Sequence, residues 1–506
     1  MSWAYDANGR VTGKGQTVAS ITKSVGYSYT NADLISLLTP SGQTITYGYT
    51  NHRITSIKIG STTLLSGVTY DPFGPATGWT WGNATTTTRS FDLDGNPSQI
   101  VSAGTTNVYT PDDASRITGI TDSGLSSDSW TFGYDLLDRV TSGSSTAKSR
   151  GYQYDANSNR TKTTGTTAST ETIATTNNYL DSTSGGIVRT YSYDAAGNAS
   201  FTGEAFTFNQ RGRMSVAVSS AGTTNYVYNA VGQLIEKSGN GGTTILVYDE
   251  AGHILGEYTS TGALIQETVW MGNTPVATIQ PSGTSVAIYY IHTDHLGTPR
   301  KITNPSTNAI VWRWDPDTFG SSVAPSIATI AYNLRLPGMY LLSESSLYYN
   351  YHRTYDPQMG RYIESDPIGL KGGINPYTYT SGNPISLADP LGLSQTAQNP
   401  APPAPPQPTP APTQSDNDNS ASPPLLAQEP FIDPFLDAIK SRPVSPDEFG
   451  RTPDYTPEVG VPPPPTPTIP PPPAWLEILQ NIANFLNKIN GASPVAPPVC
   501  ARCVPV

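Results

Sequence analysis

Cysteine, charge and histidine are all scarce in this sequence. Only two cysteines occur among 506 residues, Cys500 and Cys503. This excludes a disulfide framework for the body of the chain, and a single C-x-x-C pair with no second pair and no downstream histidine reads as a tail rather than a zinc or redox site. Charged residues make up 13% and the formal net charge is −11. A nucleic-acid partner needs a basic face, so we expect none.

Long apolar runs are also missing. No stretch approaches the roughly 20 apolar residues that span a bilayer, and the opening MSWAYDANGR lacks the basic and apolar segments of a signal peptide. We therefore expect no membrane span, and a secreted or cell-surface location only by a signal-peptide-independent route. A repeat already begins at Tyr5, which favours the chain being a piece of a longer protein.

Turn-forming residues and tyrosine are abundant instead. Glycine and proline number 46 each, and 29 tyrosines stand against 11 phenylalanines. Phrases such as YDANGRVT and YDLLDRVT recur, and most of their steps are close to 20 residues. Their first aromatic residues are Tyr5, Tyr29, Tyr49, Tyr70, Phe91, Tyr109, Tyr134, Tyr154, Tyr193, Phe208, Tyr228 and Tyr248. A period of this length is typical of stacked repeats, none of which can bury its apolar face alone.

Each repeat predicts a strand, a tight turn and another strand. The aromatic residue ends one strand, and Asp or Asn followed by Gly forms the turn because these residues tolerate positive φ. The next segment alternates apolar and polar residues, as LIEKS does at 234–238. The expected product is an all-β, twisting sheet that can close on itself.

The character of the chain changes twice more. From Tyr289 the sequence is richer in aromatics and less periodic, with YYIHTDHLGTPRKITN, VWRWDPDTFG, LYYNYHRTYDPQMGRYIESDPIGL and NPYTYTSGNPISLADPLGL. Residues 394–506 carry 29 of the 46 prolines and should be polyproline II or disordered. Within them, AWLEILQNIANFLNKIN (474–490) has the apolar spacing of one amphipathic docking helix.

The YD phrases resemble the repeats of the RHS family, whose members include bacterial polymorphic toxins, insecticidal toxin complex C components and teneurins. The aromatic block closely resembles the RHS repeat-associated core. The resemblance implies a spiralling β-sheet shell over residues 1–288, a core at 289–393 that plugs one end, and a Pro-rich variable region at 394–506 as cargo. A secretion apparatus and an immunity protein are further partners that it implies.

One phrase is written twice, as SDPIGL at 365–370 and ADPLGL at 388–393. Asp, Pro and Gly at these offsets fit a type I turn, so each copy alone is best read as a turn. The five-residue DPxGL phrases at 366–370 and 389–393 are separated by 18 residues (371–388), and the foldable sequence ends on the second Leu. This arrangement is similar to the self-cleavage motif of the RHS family, which implies aspartate-dependent cleavage between Leu393 and Ser394.

Two carboxyl groups that share one proton can hydrolyse a peptide bond without a metal or cofactor. Asp366 and Asp389 are the first candidates, and Asp356 is a rival partner. Arg361 is a candidate to orient a carboxylate or hold the scissile carbonyl. We predict that Asp366 is essential, with Asp356 or Asp389 as its partner.

Other chemistry has weaker signals. The His292-x-Asp294-His295 phrase could ligate a metal, but it belongs to the core signature and is better read as structural. His352 lies in an aromatic run and is expected to pack. Exposed tyrosines could stack on sugars, although buried repeat tyrosines are the commoner case. A structural or adhesive surface protein, or a carbohydrate-binding module, is the alternative function.

The tail itself offers no enzyme. It contains no histidine and few basic residues, which argues against a His-dependent nuclease or a zinc deaminase. We expect at most an intramolecular aspartyl autoprotease, with no cofactor and no metal.

Overall fold

The computed structural model describes residues 1–397, except 31, 32, 73 and 323. In this part of the chain, strands account for nearly all regular structure, and the helices are three short 3-10 turns at Ser126–Asp128, Gly369–Gly372 and Thr380–Gly382. No described helix has the length and apolar character needed to cross a membrane. The all-β prediction is confirmed. Apart from its first four residues, 394–397, the predicted Pro-rich tail lies outside the described residues, and so does the helix predicted at 474–490.

The first sheet has 20 strands. Each strand pairs antiparallel with the next one along the chain, as β1–β2, β2–β3 and β19–β20 illustrate. The strands are β1 (Ser2–Tyr5), β2 (Val11–Val18), β3 (Ile21–Thr30), β4 (Asp33–Leu38), β5 (Thr44–Thr50), β6 (Arg53–Ile59), β7 (Thr62–Tyr70), β8 (Ala76–Trp81), β9 (Thr86–Phe91), β10 (Pro97–Ser102), β11 (Thr105–Pro111), β12 (Ile117–Asp122), β13 (Trp130–Tyr134), β14 (Val140–Ser144), β15 (Ser149–Tyr154), β16 (Arg160–Gly165), β17 (Ser169–Ile173), β18 (Leu180–Gly185), β19 (Arg189–Tyr193) and β20 (Ala199–Phe201).

A second sheet of 12 strands continues the same meander, and two small sheets follow. The second sheet comprises β21 (Ala205–Phe208), β22 (Met214–Ser219), β23 (Gly222–Tyr228), β24 (Leu234–Gly239), β25 (Gly242–Tyr248), β26 (Ile254–Thr259), β27 (Leu264–Met271), β28 (Thr274–Ser282), β29 (Ser285–Thr293), β30 (Pro299–Thr303), β31 (Ile310–Arg313) and β32 (Ile327–Ala328). The small sheets are β33 (Tyr340–Leu342), β34 (Leu347–Asn350), β35 (Arg353–Asp356) and β36 (Arg361–Tyr362), and the hairpin of β37 (Leu387–Ala388) and β38 (Thr396–Ala397).

The repeat turns owe their shape to the aspartate. In the unit that begins at Tyr134, Asp135 Oδ1 accepts the N–H groups of Leu137 at 2.9 Å and Arg139 at 3.0 Å, and Oδ2 accepts Arg139 Nε at 2.7 Å. The aspartate therefore satisfies turn donors that no strand partner reaches. Positive φ falls on a later residue, which is Gly9 in the first unit and Asp138 here. The predicted turn is present, but Asp acts in it as an acceptor.

Consecutive repeats are fastened by an arginine and a tyrosine. The Arg139 guanidinium lies 4.7 Å from the ring centroid of Tyr154, the first residue of the next unit. The Tyr154 hydroxyl donates to the carbonyl of Val140 at 2.8 Å, back in the preceding unit. Similar tyrosine-to-carbonyl bonds join Tyr70 to Ile54, Tyr134 to Ile117, Tyr228 to Met214 and Tyr248 to Leu234.

The array coils so that distant parts of the chain face each other. Near its start, Lys14 donates to the carbonyl of Asp249. Further along, buried contacts join Arg89 to Thr293, Arg150 to Asp317 and Arg189 to Asp356. The first sheet thus meets, in order, the second sheet and then the aromatic-rich block.

The apolar faces are buried in this coil. One large core includes Val25, Leu37 and Ile57 from the first sheet together with Ile245 and Val269 from the second. Another joins the second sheet to the aromatic-rich block. Strand β29 crosses the predicted boundary at 288/289. The domain limits stay a prediction, because the meander continues through that boundary without a break.

Candidate functional site

Asp366 and Asp389 meet at one buried arginine. Arg353 Nη1 lies 3.1 Å from Asp366 Oδ2, and Arg353 Nη2 lies 3.2 Å from Asp389 Oδ2. All three side chains are only 3% exposed. The two aspartates, 23 positions apart in the chain, are therefore held at the two ends of one guanidinium fork, a geometry that matches two carboxylates at once.

The peptide bond between Leu393 and Ser394 lies at this pair. Asp389 Oδ1 accepts the N–H of Leu393 at 2.9 Å and the N–H of Ser394 at 3.2 Å. Arg353 Nε donates to the carbonyl of Gly392 at 2.6 Å. The bond that the repeated phrase predicts as the cleavage point is thus held from both sides by the same charged group of residues.

Both DPxGL phrases also form turns. The N–H of Gly369 donates to the carbonyl of Asp366 at 3.0 Å, and Asp366 Oδ1 accepts the N–H of Ile368 at 2.9 Å. In the second copy the N–H of Gly392 reaches the carbonyl of Asp389 at 3.4 Å. Each phrase can therefore form a turn and also supply a catalytic aspartate. The turn holds in place the aspartate that is its first residue.

Gly372 lies between the carboxyl group of Asp366 and the carbonyl oxygen of the scissile bond. A Cβ at this position would overlap the Asp366 carboxyl group and come within 2.9 Å of the carbonyl oxygen of Leu393. The Asp366 carboxyl and that carbonyl oxygen therefore flank one point beside Gly372. Only glycine leaves this space free.

Asp389 receives further donors from the core. The Tyr362 hydroxyl donates to Asp389 Oδ2 at 2.8 Å, and Asn350 Nδ2 donates to the Asp389 carbonyl at 2.8 Å. The Arg353 guanidinium lies 3.6 Å from the centroid of the Tyr362 ring. Bonds from N–H and O–H donors stabilise the ionised form of a carboxyl group.

Asp366 has a different environment. Burial raises its pKa above the usual range; Arg353 and the N–H of Ile368 oppose that rise, and the nearby Asp389 charge adds to it. The pair therefore holds two carboxyl groups in unequal surroundings, which is the arrangement that lets one keep a proton while the other is ionised.

Asp356 and Arg361 lie in other surroundings. Asp356 pairs with Arg189 at 2.6 Å and its Oδ1 accepts the N–H of Gln358 at 3.0 Å. Arg361 donates to the carbonyl of Asn178 at 2.6 Å, and its guanidinium stacks 4.8 Å from the ring centroid of Tyr377. The structure does not bring either residue into the contacts that join Asp366 and Asp389.

The sequence analysis missed Arg353, Tyr362 and Gly372. Arg353 stands in the quoted run YHRTYD and Tyr362 in GRYIESD, so both were visible only as members of an aromatic-rich block. The signal that would have found Arg353 is strand alternation: in β35 it and Tyr355 point to one face while Asp356 points to the other.

The histidines of the core phrase are engaged in protein contacts. His292 Nδ1 lies 2.6 Å from Ser102 Oγ and Nε2 lies 2.9 Å from Thr303 Oγ1, and burial lowers its pKa to about 3. His295 Nε2 lies 2.8 Å from the carbonyl of Ile385, and burial lowers its pKa. Among residues 1–397, apart from the four positions not described, no cluster of three or more His, Cys, Asp or Glu could hold a metal ion.

The first tyrosines of the repeats offer little free ring surface for sugars. Several of their rings pack under arginines, as Tyr29 does with Arg10 and Tyr70 does with Arg53. Tyr5 at the chain start is the large exposed exception, with 61% of its surface accessible. The carbohydrate-binding alternative therefore gains no support from these rings.

The fold and the site together define a class of protein. A coiled antiparallel sheet of YD repeats is followed by the aromatic-rich block at 289–393, called the cap below, which holds the two buried carboxyl groups. Residues 112–384 match the family model described as Teneurin YD-shell. Because this match covers more than half of the chain, the protein belongs to the YD-shell (RHS repeat) family. Asp389 and the Leu393–Ser394 bond lie just beyond the matched residues.

Curated relatives match a shorter segment. The chain is 43% identical over 106 residues to toxin protein Tse5 of Pseudomonas aeruginosa, which is 21% of this chain and 8% of that protein. It is 36% identical over 129 residues to double-stranded DNA deaminase toxin A of Burkholderia cenocepacia, covering 24% and 9% respectively. It is 33% identical over 138 residues to the probable deoxyribonuclease RhsA of Dickeya dadantii, covering 26% and 10%. The chain thus spans about a tenth of each relative's length.

Solved structures share the fold across most of the described residues. A Tc holotoxin pore from Photorhabdus luminescens, with a substitution in TccC3, aligns with a TM-score of 0.63 at 18% identity, over 75% of this chain and 22% of that one. A TcdB2-TccC3 complex aligns with a TM-score of 0.63 at 16% identity, over 77% and 24%. At this identity the likeness concerns the fold alone.

Proposed function

We propose that this protein is an RHS-type shell protein whose cap hydrolyses its own Leu393–Ser394 bond and so separates the C-terminal region from the repeats. The observation that carries the proposal is the arrangement of two buried carboxyl groups around Arg353, with the N–H of the scissile bond on Asp389 at 3.2 Å. Two carboxyl groups in unequal surroundings are sufficient for peptide hydrolysis without a cofactor.

The surroundings favour one division of labour. Asp389 accepts bonds from Leu393, Ser394 and Tyr362 as well as from Arg353, which suits the ionised partner. Asp366 has the raised pKa and suits the protonated partner. Because Asp366 and the Leu393 carbonyl oxygen flank the same point beside Gly372, protonated Asp366 can polarise that carbonyl.

The reaction then needs one water molecule. Asp389 takes a proton from water as the water oxygen attacks the carbonyl carbon of Leu393. Asp389 next gives that proton to the nitrogen of Ser394, and the C–N bond breaks. The products are a carboxyl group on Leu393 and an amine on Ser394, so atoms and charges balance.

The biological role proposed for the separated region is that of an effector of the polymorphic-toxin type in intercellular competition. Its support is the likeness to proteins named as toxins and to shells of toxin complexes. This role implies secretion or surface display, and it implies the C-terminal region as cargo, with a secretion apparatus and an immunity protein as partners.

The deciding experiment is the intact mass of the full-length protein under denaturing conditions. Wild type should give two fragments, residues 1–393 and 394–506. Asp366→Asn and Asp389→Asn should each slow the cut by about 10²-fold or more, because the first removes the acid that polarises the Leu393 carbonyl and the second removes the base. Asp113→Asn, on an exposed repeat turn, is the matched control and should be cut like wild type.

A single full-length mass for wild type would overturn the proposal. So would cleavage of both site variants at the wild-type rate. A cut that persists in Asp389→Asn but not in Asp366→Asn would retain the protease and reject Asp389 as the base.

The pH dependence tests the proton assignment. If Asp366 must be protonated, the rate should fall as pH rises through its raised pKa, because the carbonyl then loses its acid. Freshly synthesised chain shifted into a series of buffers that begins at pH 3.8, the usual pKa of the group, and extends upward would show this fall in rate. A rate that rises steadily across that range would contradict the assignment of Asp366 as the acid.

A further inference from the structure

The scissile bond lies in the loop of a hairpin. Strand β37 (Leu387–Ala388) pairs antiparallel with β38 (Thr396–Ala397), and the partners are Leu387 with Ala397 and Ala388 with Thr396. Asp389 follows β37 directly, so the proposed base and the bond it serves belong to the same hairpin. The two residues of β38 are the third and fourth residues after the cut.

The β37 side of this hairpin is fixed by the core. Ala388 is 7% exposed. The N–H of Leu387 donates to the carbonyl of Asn383 at 3.2 Å, and the N–H of Ser386 donates to Asn383 Oδ1 at 3.1 Å. His295 Nε2 lies 2.8 Å from the Ile385 carbonyl, which holds the approach to the strand. β37 is therefore held in place by the core, and β38 pairs with it as an added strand.

Strand addition of this kind recognises main chain. Main-chain N–H and C=O groups supply the bonds, and every residue except proline can provide them. The two contacts between Asp389 Oδ1 and the chain at the cut are likewise to the N–H groups of Leu393 and Ser394. The Asp389 contacts at Leu393 and Ser394 and the pairing of β38 with β37 are thus both described at the level of the backbone.

We propose that the β37 edge selects what can be cut by pairing with the backbone of residues 396–397, independently of side-chain identity. The substrate class of this site is then any extended, proline-free segment that follows Leu393. This inference rests on the proposed self-cleavage.

The pairing of β37 with β38, called the ladder below, also limits how long the segment after the cut stays bound. A pair of two-residue strands is too short to be stable by itself in water. While Leu393 and Ser394 are joined, closure of the short loop keeps β38 at high effective concentration beside β37. Hydrolysis lowers this effective concentration because β38 is then no longer tethered to Leu393. We therefore expect the segment that begins at Ser394 to leave β37 after the cut.

The test compares a variant that loses the main-chain N–H donors of β38 with a variant in which only the side chains of β38 change. Thr396→Pro/Ala397→Pro removes both N–H groups of β38, whereas Thr396→Ala/Ala397→Ser keeps both and changes both side chains. We expect the proline variant to be cut at least 10-fold more slowly, and the Ala/Ser variant within 3-fold of wild type. Cleavage is followed by intact mass, and thermal unfolding of each chain verifies that the repeats and cap remain folded.

Each outcome is informative. Equal rates for the proline variant and wild type would overturn the role of the ladder while leaving self-cleavage intact. Slow cleavage of the Ala/Ser variant would overturn backbone-only selection, since side chains would then matter. An uncut wild-type chain would overturn the proposed function itself and this inference with it.

Discussion

At the scale of single residues, the cap contains carboxyl groups with unusual environments close to the proposed site. Glu364 is buried, and its carboxyl group accepts hydrogen bonds from the N–H of Thr354 at 2.6 Å and from the Thr354 hydroxyl at 2.9 Å. Burial raises the pKa of Glu364 to about 8, from a usual value of 4.5. The folded protein therefore keeps this carboxyl protonated at neutral pH.

This raised pKa predicts a pH-dependent stability. Below pH 4.5 the group is protonated in both folded and unfolded chains, and its contribution is fully present. Between pH 4.5 and about 8 only the unfolded chain ionises, so stability is lost as pH rises. The loss is at most about 1.4 kcal/mol per pH unit from this group.

Glu364→Gln should remove that part of the slope, because the amide cannot ionise. Denaturant unfolding of both proteins across this range measures the difference between them. Glu236→Gln, at a partly exposed position, is the matched control and should follow wild type. Parallel stability curves for wild type and Glu364→Gln would show that Glu364 is ionised in the folded state.

At the scale of elements, the repeat that begins at Tyr134 is a unit in which one aspartate, one arginine and the tyrosine of the next repeat depend on each other. Asp135 orders its own turn and orients Arg139, which also donates to the carbonyl of Asp155 at 2.8 Å and covers Tyr154. A substitution in one turn should therefore lower the local stability of the following repeat as well.

Asp135→Ala tests this dependence. It removes the acceptor for two turn N–H groups and for Arg139, and we expect a local cost of about 1–3 kcal/mol. Hydrogen exchange should accelerate in β14 and β15 as well as in the turn. Asp113→Ala, on an exposed turn position, should leave exchange unchanged. Protection lost only within residues 135–139 would contradict coupling between repeats.

At the scale of the whole molecule, the coil is closed by buried polar contacts between distant parts of the chain. Arg150 Nε lies 2.9 Å from Asp317 Oδ2, and the two side chains are 12% and 2% exposed. This pair joins the first sheet to the aromatic-rich block. Buried pairs of this kind fix which surfaces meet, because a wrong pairing would leave a charge without its partner.

Arg150→Met should lower the free energy of unfolding by about 3–5 kcal/mol, since Asp317 stays buried without its cation. Adding Asp317→Asn should recover part of that loss, because the uncompensated charge is then gone. Thermal unfolding of the two single variants and the double variant measures the coupling. Lys162→Met, an exposed lysine on the same sheet, is the control. Strictly additive losses would show that the two groups do not interact.

The sequence by itself determined the repeat, the all-β fold and the aspartates worth considering. Period, turn chemistry and strand alternation are local properties, so they can be read from residues that are near in sequence. The doubled DPxGL phrase gave the candidate bond through its resemblance to the self-cleavage motif of the RHS family. The domain limits, the cleavage and the role of each site residue stay predictions.

Only the tertiary structure decided which groups meet. Asp366 and Asp389 are joined by Arg353 and not by Arg361, and Asp356 is bonded to Arg189 from a distant repeat. Arg353 and Arg361 are chemically identical, and their roles differ because the coil of the sheets gives them different neighbours. Such encounters between residues far apart in sequence depend on the packing of the whole chain, which no local pattern records.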